Sequence, residues 1–395
     1  MYSNSTKRHD NGTLVRRASV VVFIVFSFCW LYFFQADFLA VTHHALATTP
    51  NASALGNSRI LAALFLTLVL LLILLGARAV APLKNGLFAL TFFPSFWALT
   101  LLGNLQQLLA SARAAIVWGI ASVVLLALWG LVSRFFSRLS RYETNTRTMW
   151  VNLLLLSVMM GGVAALTNTQ AVYHYRAHME TLLFEQQPAE ALQVGLKSLE
   201  TDASLTMLRA YSLACCQQSN PDGQPSTLLP ERLFQYSVGG NGADLVPSTA
   251  DSHSRTLRYP VDSIYRRLGA LPRHRQTTAQ YLEALERHHQ ATAVVRDYVL
   301  CGLLVDRRLD DFVRLLPRYY TVNDSVTLPR HYREALTLYR HLRAQPRLVY
   351  HHAVTEEDYR NLQELKSQYG DPRERKIRVL EKYFGSYWYY YEYMK

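Results

Sequence analysis

The chain has 395 residues, half of them apolar, and a formal net charge of +12. That excess is unevenly placed: residues 1–170 hold 12 Lys or Arg against Asp10, Asp37 and Glu143, whereas residues 171–395 hold 29 against 26 acids. A nearly balanced second half argues against nucleic acid as a partner, because a phosphate-binding surface needs a concentrated cationic face.

Five apolar stretches run through the first half: Ala18–Phe34, Ile60–Gly76, Gly86–Gly103, Ala114–Val132 and Trp150–Leu166. Each is close to the shortest helix that spans a bilayer, about 17 residues. The third carries Pro94 in its middle and is expected to be a kinked membrane helix. Lys7, Arg8, Arg16 and Arg17 precede the first stretch, Arg78 and Lys84 follow the second, and Arg134, Arg138, Arg141 and Arg147 lie between the fourth and fifth. Only Arg59 and Arg113 fall on the other face. Since cationic flanks are retained in the cytoplasm, residues 1–17 are expected inside, 18–170 in the membrane and 171–395 outside. The first stretch has no small-x-small cleavage site soon after it and reads as an anchor, not a removed signal.

No ionisable side chain lies within the five stretches, which speaks against a conducting pathway. Asp37, His43 and His44 follow the first stretch on the outer side. A carboxylate there resembles the layout of lipid-linked sugar transferases, in which it takes a proton or holds a divalent metal while a histidine stabilises the departing phosphate. A solvated helix end is the simpler reading. Cys29, Cys215, Cys216 and Cys301 show no zinc spacing, and Cys301 could pair with Cys215 or Cys216 in an oxidising compartment. His174 and His178 share a helical face but lack a third ligand, so neither a metal nor a cofactor is expected.

From Ala171 onward the apolar spacing is helical, with Pro188 placed to open a helix running through Leu192, Leu196 and Leu199, and a further helix from Ala203 to Cys216. Ala177 and Ala210 are 33 positions apart, as are Gly302 and Ala335. That is close to the tetratricopeptide period of about 34 residues, in which a small residue stands where helix axes approach. The fold class expected is therefore all-α: five transmembrane helices followed by a domain of helical hairpins resembling tetratricopeptide repeats. Residues 217–260 interrupt the pattern with a Ser-, Pro- and Gly-rich stretch expected to pack as a partly ordered loop. The aromatic tail YFGSYWYYYEYMK fits a groove in the helical array or, less well, the membrane interface.

The segments LRAYSLACC, PERLFQYSV, VRDYVLCGLLVDRRLDDFVRLLPRYY, LPRHYREALTLY and YWYYYEY resemble an uncharacterised family of bacterial polytopic inner-membrane proteins with a tetratricopeptide-like extracytoplasmic domain. The resemblance covers about the last 225 residues well and the first stretch more loosely. It implies a Gram-negative inner membrane and no assigned activity. The favoured expectation is a membrane-anchored interaction or scaffold protein, in contact with membrane lipid and binding a protein or peptide partner through its exported domain. Arg318, Tyr319, Arg330 and His331 are its candidate binding residues. The alternative is an enzyme acting on a lipid-linked glycosyl or phosphoryl substrate at the outer leaflet, with Asp37 essential.

Overall fold

The computed structural model describes residues 3–35, 59–83, 85–105, 108, 112–139, 146–219, 225–249, 257, 259–323 and 326–394. Asp37, His43 and His44 lie outside the described residues. The chain forms two compact units, one ending at Tyr173 and the other beginning at His174.

The first unit contains α1 (Ser3–Cys29), which runs on into a π-helical turn (Trp30–Phe34), then α2 (Arg59–Val80), α3 (Phe93–Gly103), α4 (Ala112–Leu139) and α5 (Thr146–Leu166). Four helical stretches are long and apolar enough to cross a membrane: Thr13–Phe34, Ile60–Val80, Ala112–Phe136 and Met149–Leu166. The expected third span is built differently. Asn85–Phe92 is a 3-10 stretch bent at Leu87, where φ is −137° and ψ 34°, and the α-helix begins only at Phe93. Pro94 therefore stands in the first turn of α3, where a missing N–H breaks no bond, and does not kink a continuous helix.

This irregular segment is the most deeply packed part of its unit. Phe92 and Phe96 lie 5.2 and 5.1 Å from the Phe23 ring, and Ala89, Phe92 and Leu99 are fully buried. Backbone groups released by the 3-10 geometry find partners on neighbouring helices. Ala89 N donates to Asn152 Oδ1 at 2.7 Å, and Leu90 O accepts from Trp129 Nε1 at 2.8 Å. Ser95 Oγ donates to Leu70 O at 2.9 Å, while Asn104 joins Leu166 O (2.9 Å) and Asn168 N (3.1 Å). Non-helical backbone survives at membrane depth only when enclosed and satisfied in this way. In contrast α4 keeps Ile116, Val117, Ile120, Val123 and Leu131 exposed, a surface suited to hydrocarbon as solvent.

Among its described residues the second unit is helical apart from one short hairpin. It comprises α6 (Ala171–Phe184), α7 (Pro188–Ala191), α8 (Ala203–Cys215), strands β1 (Gln217–Ser219) and β2 (Pro225–Thr227), α9 (Leu229–Arg232), α10 (Val261–Leu268) and α11 (Thr278–Arg287). There follow α12 (Ala293–Val305), α13 (Leu309–Tyr319), α14 (Arg330–Leu342), α15 (Ala353–Gln368), α16 (Pro372–Tyr383) and α17 (Tyr387–Tyr393). From α12 to α16 each helix packs on the next in chain order. The helix expected through Leu199 stops after one turn. Gly195 has φ +62° with the Tyr175 ring pressed against it, so the chain turns away, and Leu199 stays exposed.

Residues 217–260 contribute to the interior more than the expected loop would. Leu229, Leu233, Phe234, Leu245 and Val246 are buried in the same core as α12 and α14. Asp297 of α12, fully buried, ties this region down: it accepts from Thr227 Oγ1 at 2.7 Å, Tyr320 OH at 2.5 Å and Tyr332 OH at 3.3 Å. The four cysteines are unpaired. The aromatic tail is an interior element. Tyr387 and Tyr390 reach the carbonyls of Leu304 (3.3 Å) and Val305 (2.7 Å), and both rings lie against Phe234 at 5.0 and 4.7 Å.

Candidate functional site

The four residues singled out in the second unit fall in two places. Arg318 and Tyr319, at the end of α13, line a cleft of about 410 Å³ between α11, α12 and α13. Its floor is apolar, formed by Leu282, Val299, Leu303 and Leu315, and its rim is charged, with Glu283, Glu286, Arg308 and Arg318. One end is closed by a backbone contact that only glycine permits: a Cβ at Gly242 would lie 2.1 Å from Gly302 O. Gly242 N also donates to Asp306 Oδ1 at 2.7 Å, fixing the 3-10 turn Gly242–Leu245 against α12. The approach depends on Gly242 and not on the small residue noticed at Gly302, where a Cβ would meet the turn at 3.4 Å, an ordinary contact.

Glu286 organises the rim. Arg318 Nη2 donates to its Oε2 at 2.9 Å, and the Tyr319 hydroxyl donates to its other oxygen. Burial, and then the Glu286 carboxylate, push the Tyr319 pKa up to about 12, so the hydroxyl remains a neutral donor throughout the physiological range. Glu286 was not picked out from sequence, although it lies on α11 one residue before the last-turn Arg287 in an ordinary charged helix face. Only the arrival of α13 from 32 positions later gives it a role.

Arg330 and His331 open α14 and meet Glu334 instead. Arg330 Nε donates to Glu334 Oε1 at 2.8 Å, and His331 Nδ1 lies 2.9 Å from Oε2. The same Oε2 accepts from Tyr387 N at 2.7 Å, while Trp388 Nε1 donates to the Glu334 carbonyl at 2.8 Å. His331 is fully buried, so it faces the tail and Phe234, not a surface partner. Glu334 is also buried; desolvation alone would raise its pKa, but His331, Arg330 and the Tyr387 amide together hold it below the ordinary value. His174 and His178 lie on α6, and among the described residues no three His, Cys, Asp or Glu side chains are grouped to hold a metal ion.

The architecture is that of a helical chain with apolar helices compatible with membrane spans and a second, largely helical unit. Residues 247–394, which run from before α10 through α17 and contribute most of the cleft lining, match a family of unknown function (DUF6057). No curated protein and no solved structure matches the chain.

Proposed function

We propose that this is a multi-pass bacterial inner-membrane protein whose second unit, displayed in the periplasm, binds a protein or peptide partner in the cleft bounded by α11, α12 and α13. The carrying observation is that cleft: an apolar floor able to take a side chain, ringed by Glu283, Glu286, Arg308 and Arg318 to orient the backbone or flanking charges. The consecutive packing of α12 to α16 supports reading this part as a hairpin array related to tetratricopeptide repeats.

The orientation rests on five crossings. Ala89 lies beside Asn152 near the start of α5, and Asn104 beside Leu166 at its end, so the irregular third segment runs alongside α5 over the same depth. A 3-10 helix rises about 2.0 Å per residue against about 1.5 Å for an α-helix, so eight plus eleven residues reach up to about 32 Å. That matches a hydrocarbon core of about 30 Å. Arg16 and Arg78 both approach the Phe88 ring, at 5.4 and 5.8 Å, which gathers cations from α1 and α2 at one end.

The test is a photo-reactive residue placed at Leu303 and irradiated in intact cells. A discrete protein adduct, lost when Arg318→Glu reverses the rim charge in the same chain, supports partner binding. Adducts to lipid alone, or a protein adduct indifferent to Arg318→Glu, would refute it.

A further inference from the structure

A second cavity of the same unit, about 420 Å³, lies where α14, α15, α16 and the turn into α17 meet. Its character differs from that of the cleft, because three of its lining side chains, Arg330, Arg333 and Lys382, are cations with donor capacity unused by the protein. Arg330 gives only its Nε to Glu334. Arg333 gives one Nη1 hydrogen bond to His352 Nε2 at 2.8 Å, while its Nε is buried and has no acceptor. Lys382 lies over the Tyr383 ring at 5.7 Å and has no ion pair among the described residues. Burial and the adjacent guanidinium lower the His352 pKa, so His352 stays neutral and does not take up the Arg333 charge.

Two carboxylates also line the cavity. Glu334 is already occupied by Arg330, His331 and the Tyr387 amide, whereas exposed Asp358 forms no ion pair among the described residues. The balance is one positive charge in excess, with a buried guanidinium N–H lacking an acceptor. That Nε is itself enclosed, so an oxygen anion entering the cavity would meet the Nη groups of Arg330 and Arg333 and the exposed Lys382 ammonium. Guanidinium forks match carboxylate and phosphate oxygens in pairs, and the volume lies within the range of small-molecule sites.

We infer that this cavity binds a small molecule bearing a carboxylate or phosphate, held by Arg333 and Lys382 with Arg330 at its edge. Asp358 and Asn361 on the α15 wall receive hydroxyl or ammonium donors from the rest of that molecule. The site is separate from the α11–α13 cleft and does not depend on it.

Isothermal titration of the full chain in a neutral detergent tests this with three probes: glutamate, glucose 6-phosphate and, as the uncharged control, glucose. At least one anionic probe should bind while glucose does not, and the one that binds identifies the anion as carboxylate or phosphate. Lys382→Gln and Arg333→Gln should each weaken that binding about tenfold, the loss expected for one charge-assisted hydrogen bond. Arg318→Gln, in the other cleft, should leave it unchanged. Lys382 is exposed and unpaired, so its variant is expected to keep the parental unfolding temperature, which separates a lost contact from a lost fold. Absence of heat from both anions up to ~10 mM, equal binding of glucose, or affinities untouched by Lys382→Gln and Arg333→Gln would each overturn the assignment.

Discussion

Glu334 and Asp297 are buried carboxylates with opposite consequences for pH. The folded pKa of Glu334 is depressed by its partners, so its contribution is complete above the ordinary carboxylate range and is lost as pH falls through the lowered value. Asp297 is shifted upward by burial, against the pull of Tyr320, Thr227, Arg296 and Tyr332, so protonation near and below its raised value favours the folded state. Glu334→Gln should therefore cost about 3–5 kcal/mol at neutral pH, the range for breaking a buried pair, and should flatten the acid side of a stability profile. Asp297→Asn should instead remove a stabilising response to mild acid. Thermal unfolding of both variants across a pH series reads the two signs separately. Arg330 and His331 were named from the sequence as candidate binding residues, but their partner Glu334 was not. Its only signal was the i+3 and i+4 spacing of Glu334, which many solvated helix faces share.

At the level of elements, the small residues were the clearest sequence markers, and the breaks the least clear. Ala210 and Ala335 are both fully buried, so replacement by Leu at either should cost ~1–3 kcal/mol by overpacking. Lys376→Leu at an exposed position of α16 should change stability within about 0.5 kcal/mol. Thermal unfolding followed by aromatic circular dichroism would measure the contrast; equal small effects would mean that these alanines do not mark close approaches. Gly242→Ala belongs with the costly changes, because its methyl would meet a carbonyl oxygen and force the 3-10 turn off α12. The shortened α7 and the 3-10 start of the third apolar segment were hidden for a common reason. Helical spacing continued past Gly195 and before Phe93, while the features that decide the backbone were a glycine turn and side chains from distant helices.

For the molecule as a whole, the parity of crossings decides which compartment the second unit occupies. Four crossings would return it to the side of the N-terminus, and five place it opposite. A reporter active only outside the cytoplasm should be active when fused after Lys395 and silent when fused near Tyr142. Activity at Tyr142 with silence at Lys395 would overturn this arrangement, and a third fusion near Lys84 tells the two causes apart: activity there means a reversed orientation, silence there means that the third segment does not cross. The change from membrane to polar chain near residue 170 was legible because composition alone marks it. The internal order of the second unit was less so, since residues 217–260 look like a loop by composition yet supply Leu233 and Phe234 to the core.

The contacts of Phe234 also set a timetable. Its amide donates to His331 Nε2, 97 positions later, and its ring is covered by Tyr387 and Tyr390 still farther along. A ribosome adds about 5–20 residues per second, so the apolar island Leu233–Phe234 is made on the order of ten seconds before the helix that covers it. Closure across such separations is also slow in its own right, because the loop entropy is lost before the contacts that reward it form. The nascent chain therefore passes through an interval in which a sticky, half-built interior faces its surroundings. In that interval aggregation competes most strongly with folding.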